Sequence, residues 1–216
     1  MSGERLSQLV SLEGLKLAAG VLLLSPFIPL LFMGEEYGET APFLYFTSFL
    51  DEGMVAALRQ GRRQEFAAFL AEGEPPDPQA EETFQRCRLN HGLKTREPHR
   101  TLLAFHRELL RLRREVPALA HLSQRHLEVQ GFEREHVLWL RRWYEQEEVL
   151  GLFHFGSASR EMTVPWPVGP WRKLVDSAEE RWLGPGAIMP ETLTSAGEVS
   201  LTLSPQALLV FARERG

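Results

Sequence analysis

Cysteine is all but missing from this sequence. Cys87 is the only one, which excludes an intrachain disulfide and any C-x-x-C zinc or redox pair and fits a reducing, cytoplasmic setting. Metal-ligand spacing is missing as well. The seven histidines include no H-E-x-x-H, and His106 and His121 lie too far apart to form a local ligand pair, so no metal site is expected. No G-x-S-x-G elbow, phosphate-cradling glycine loop or dinucleotide fingerprint occurs, and no cofactor is expected. Basic residues form no stripe that could track a phosphate backbone. Twenty-four of them against 29 acidic residues leave a net charge of −5, so nucleic acid is not an expected partner. What is present is ordinary for a globular chain: 44% hydrophobic and 25% charged residues exclude disorder as the general state. At roughly 150 residues per domain, 216 residues make one to two domains.

The one long apolar run, Leu17–Gly34 (LAAGVLLLSPFIPLLFMG), has about the length of a membrane span. Pro26 and Pro29 argue against that reading, because proline breaks a helix. They divide the run into a buried helix ending near Leu24 and a short apolar strand, Ile28–Met33. Neither a membrane span nor a signal peptide is expected. The leading stretch sets Glu4 and Glu13 against Arg5 and Lys16 and lacks a positive n-region.

Leu6, Leu9, Val10, Leu15 and Leu17 recur at helical spacing, which predicts a helix over Ser7–Leu24 that becomes fully buried towards its end. The strand after it runs into Gly34-Glu35-Glu36-Tyr37-Gly38-Glu39. Two glycines there permit a tight loop and present three carboxylates where α/β folds keep their sites. Val55, Leu58, Phe66 and Phe69 predict one or two helices over Asp51–Leu70, interrupted at Gly61. Glu72–Gln79 reads as a loop, Glu81–Leu89 as a short helix, and Pro98 opens a longer helix to Glu115 with a stripe of Leu102, Phe105, Leu109 and Leu112. Pro117 closes it.

Beyond His121 the period becomes two. Val137, Trp139, Arg141 and Trp143 share one face of a strand and Leu138 and Leu140 the other. Further strands are expected at Val149–Phe155, Glu161–Val164, Arg172–Val175, Val199–Leu203 and Leu208–Ala212. The expected fold class is α+β, with a mostly helical part carrying one strand over residues 1–120 and an antiparallel β-sandwich over 121–216. No internal repeat is visible.

Among the candidate chemistry, Glu35, Glu36 and Glu39 form the only acidic cluster placed after an apolar strand. Paired carboxylates about 5 Å apart can serve as acid and nucleophile on a glycosidic bond. Adjacent side chains of an extended segment point to opposite faces, however, so a pocket-lining or loop-anchoring role competes with catalysis. Tyr37, Phe43, Tyr45 and Phe46 crowd the same loop. Their faces suit stacking on sugar rings, and the competing reading is that they fill the loop's own core. His106 is expected on a helix face, and His154 packed or hydrogen-bonded within a strand.

The run SPFIPLLFMGEEYGETAPFLYFTS (Ser25–Ser48), then RQGRRQEF (Arg59–Phe66), PPDPQAEETF (Pro75–Phe84) and EPHRTLLAFHRELLRLRRE (Glu97–Glu115), resembles the maltooligosyltrehalose trehalohydrolases, enzymes of the α-amylase superfamily. The resemblance covers most of residues 1–120. It implies that Phe27–Glu39 is the eighth strand of a (β/α)8 barrel with its loop, that the helix before it is the seventh barrel helix, and that the sandwich is the usual C-terminal domain. It also implies a retaining hydrolysis of the α-1,4 bond beside the terminal trehalose unit of a maltooligosyl trehalose. In that superfamily the nucleophilic aspartate, acid/base glutamate and stabilising aspartate follow the fourth, fifth and seventh strands, and no residue of this chain matches any of the three.

The expectation is therefore a C-terminal fragment, inactive alone and with no catalytic residue of its own. In it Glu35, Glu36, Tyr37, Phe43 and Tyr45 would contact a maltooligosaccharide weakly. The expected partners are a polypeptide carrying the rest of the barrel or further copies of the chain. The alternative from another class is a noncatalytic carbohydrate-binding or interaction protein.

Overall fold

The computed structural model describes residues 3–67 and 74–213. Ser11 divides the expected first helix in two. Its hydroxyl accepts the Gly14 N–H at 3.0 Å, satisfying one of the free donors at a helix start. The result is a short α1 (Leu6–Leu9) followed by α2 (Leu12–Leu24).

Asp51 caps α3 (Glu52–Glu65) in the same way, 2.7 Å from the Met54 N–H. This helix runs through Gly61 without the expected interruption. No atom lies within 4 Å of where a Gly61 Cβ would be, and an exposed glycine costs a helix only about 1 kcal/mol. The far end of that expectation, towards Leu70, and the start of the loop at Glu72 lie outside the described residues. Next comes α4 (Glu81–Arg86), shorter than expected. The long α5 (His99–Glu115) buries Leu102, Phe105, Leu109 and Leu112 as its stripe predicts, and α6 (Pro117–Ala120) begins on the proline that ends α5.

Eight strands follow: β1 (Leu127–Phe132), β2 (Val137–Tyr144), β3 (Glu147–His154), β4 (Arg160–Pro165), β5 (Gly169–Asp176), β6 (Thr192–Ser195), β7 (Glu198–Leu203) and β8 (Leu208–Arg213). Six of them form one antiparallel sheet in the order β1-β2-β3-β8-β5-β6, and β4 pairs with β7 in a second. The large sheet is covered on both faces. On one side Leu140, Val149, Phe153, Leu208 and Val210 pack against Leu17, Leu23 and Leu24 of α2 and Phe105, Leu109 and Leu112 of α5. On the other, Val137, Trp139, Leu150, Leu152 and Phe211 meet Val164 and Leu201 of the small sheet, with Trp166 and Trp171 closing the layer. Alternation along β2 thus sends Val137 and Trp139 to one core and Leu140 to the other, as its period predicts.

Buried cations tie the helices to the sheet. Lys16 Nζ donates to the carbonyls of Ser177 (2.7 Å) and Trp182 (2.9 Å). The Arg142 guanidinium reaches the Leu24, Leu119 and His121 carbonyls at 2.8, 3.1 and 2.9 Å. Arg113 takes that of Leu23 in the last turn of α2 and those of Ser25 and Phe27 just beyond it. His106 and His154 are buried and bond to the carbonyls of Leu102 and Ser204, so both hold structure.

One expected element does not form. Ile28–Met33 is assigned no strand, and Ile28 and Leu30 are each 88% exposed. A strand exists by pairing with neighbours, and among the described residues none lies alongside this segment. Among the described residues, too, no helix is long and apolar enough to cross a membrane.

Candidate functional site

The loop that follows this segment is built on two glycines. Gly34 and Gly38 have φ of +87° and +69°, a region other residues enter only at a cost. Between them Glu35–Tyr37 form one 3₁₀ turn. A Cβ on Gly34 would come within 2.6 Å of Glu39 Cβ. The turn closes with Gly38 N–H bonding Glu35 O at 3.0 Å and Glu39 N–H bonding Gly34 O at 2.9 Å.

Glu39 is the anchor of this loop. Its buried carboxylate accepts four hydrogen bonds: from Thr40 N (2.8 Å), Ala41 N (2.9 Å), the Tyr37 hydroxyl (2.8 Å) and Asn90 N (2.6 Å). Burial alone raises a carboxyl group's pKa, but these donors, Ala41 N and Tyr37 foremost, outweigh it and hold Glu39 below the ordinary carboxylate range. Burial, followed by the bond to Glu39, pushes the Tyr37 hydroxyl far above its ordinary value. At neutral pH the pair is a phenol donating to a carboxylate. The loop is fastened to its surroundings by Ser7 Oγ on Glu39 O (2.6 Å), by His99 Nδ1 at Tyr37 O (2.9 Å), and by the Arg5 guanidinium on Ala41 O and Met33 O.

Beside this anchor is a recess of about 330 Å³, lined in part by Arg5, Ser7, Leu15, Phe32, Glu35 and Phe43. Glu35 accepts the Phe32 N–H at 3.0 Å, and the Phe32 and Phe43 rings meet edge to face at 5.0 Å. Phe46 continues the aromatic row to Phe84, with ring centroids 6.2 and 5.3 Å apart. A recess with a carboxylate, a guanidinium and two part-exposed rings offers hydrogen bonds to hydroxyls and apolar faces to a pyranose ring.

The expected contact residues therefore divide. Glu35 and Phe43 line the recess together. Glu36 is half-buried on the 3₁₀ turn and does not line the recess. Tyr45 lies under the Arg62 guanidinium, 5.1 Å from its ring centroid. Tyr37 is corrected outright: it is 0% exposed, because its hydroxyl is committed to Glu39, and it offers no face to a ligand. Arg5 and Phe32 went unread in the sequence. Phe32 looked like strand core, and no local spacing announces that Arg5 reaches carbonyls 28 and 36 residues away. Among the described residues no group of three or more histidine, cysteine, aspartate or glutamate side chains could hold a metal ion.

No family model matches the chain. Curated relatives do, all named malto-oligosyltrehalose trehalohydrolase. The protein from Deinococcus radiodurans is 38% identical over 85% of this chain and 31% of its own length. That from Arthrobacter ramosus is 37% identical over 77% and 26%, and that from Saccharolobus solfataricus 41% over 52% and 18%. Among solved structures, a Salmonella typhimurium protein described as a candidate α-amylase superposes on 99% of this chain and 32% of its own, with a TM-score of 0.72 and 34% identity. A trehalulose synthase superposes on 94% and 38%, with a TM-score of 0.60 and 18% identity, and so shares the fold. The chain spans under a third of the length of these curated relatives, and over that span it is similar to malto-oligosyltrehalose trehalohydrolases.

Proposed function

We propose that the chain is the C-terminal portion of a trehalohydrolase, residues 1–120 standing as the end of the barrel and 121–216 as the sandwich. In this reading the assembled enzyme releases trehalose from maltooligosyl trehalose by hydrolysis of an α-1,4-glycosidic bond. The observation that carries it is 37–38% identity to named trehalohydrolases over 77–85% of the chain, joined to a recess whose rings and carboxylate suit a sugar. The nucleophile and the acid/base come from outside this chain. Its own part is to shape the pocket, with Phe43 and Phe32 against a glucose ring, Glu35 and Arg5 on its hydroxyls, and Glu39 holding the loop that carries them. A cytoplasmic location is supported by the lone Cys87, a buried free thiol whose Sγ bonds within its own helix to Thr83 O at 3.1 Å.

Two measurements test this reading. The purified chain is expected to release no trehalose from maltooligosyl trehalose. Isothermal calorimetry is expected to give a maltooligosaccharide Kd of about 1 mM or weaker, weakened further by Phe43→Ala. Micromolar binding by the chain alone would instead make it a self-sufficient binding module, and trehalose release by the chain alone would place catalytic carboxylates within it.

A further inference from the structure

We draw no further inference here: the strongest candidate, the row of part-exposed rings Phe43, Phe46 and Phe84 leading away from the recess, belongs to the site already described, and nothing in the structure shows what covers it.

Discussion

Glu39 anchors the loop of the candidate site and lines its recess with a carboxylate already committed to four donors. Four donors converge on one carboxylate, three of them main-chain N–H groups that would otherwise be unsatisfied. Glu39→Gln turns one oxygen into a donor facing other donors, and it is expected to destabilise the protein by about 3 kcal/mol, read from urea unfolding. The depressed pKa of Glu39 sets the sign of the pH effect. Its stabilisation is complete above the ordinary carboxylate value near 4.5 and is lost as pH falls through the lower folded value. Thermal melting of the parent chain should therefore fall towards the Glu39→Gln level below about pH 4, and a constant gap down to pH 2 would contradict the assignment. Sequence alone showed the cluster Glu35, Glu36 and Glu39 but not which of the three is buried. That depends on Asn90, 51 residues away, and local spacing holds no record of such a contact.

The helices and strands that bury a stripe or alternate cleanly were legible because burial writes a period into the sequence. This is why α5, β2, β3 and β8 stand where the pattern puts them. The two outer strands of the large sheet write no such period: β1, whose middle residues are all exposed, and the four-residue β6 went unread. Ile28–Met33 shows the reverse case. Its pattern is that of a strand, but among the described residues no strand pairs with it. The end of α2 rests on Arg113 and Arg142, two buried guanidinium groups whose terminal nitrogens donate to carbonyls, the Arg142 Nε being left without a partner. Burial, then the nearby Arg113 charge, lowers the Arg142 pKa to about 10, so the group is still charged at neutral pH. Arg142→Met should take the guanidinium donors from the Leu24 and Leu119 carbonyls, while His121 O keeps the Ser123 N–H at 3.0 Å, and cost about 3 kcal/mol in urea unfolding. Retention of parent stability would show that those carbonyls find other donors. Gly61→Ala should act oppositely. It lies in an exposed helix interior with open space around its Cβ position, and the substitution should raise stability by about 1 kcal/mol.

At the scale of the whole molecule, one sheet is covered by helices on one face and by a small sheet on the other, so the large sheet between Leu127 and Arg213 packs a hydrophobic core on each side. The part before Leu50 leaves Ile28 and Leu30 exposed. The same loop that organises a sugar-sized recess stands next to an apolar segment left uncovered, and both features follow if the chain completes a larger glycosidase. The most direct measurement is trehalose release from maltooligosyl trehalose by this chain, by the complementary part of the Deinococcus radiodurans relative, and by the two together. Neither part alone is expected to release trehalose, and the complex is. Release by this chain alone, or none from a one-to-one complex, would contradict the trehalohydrolase reading.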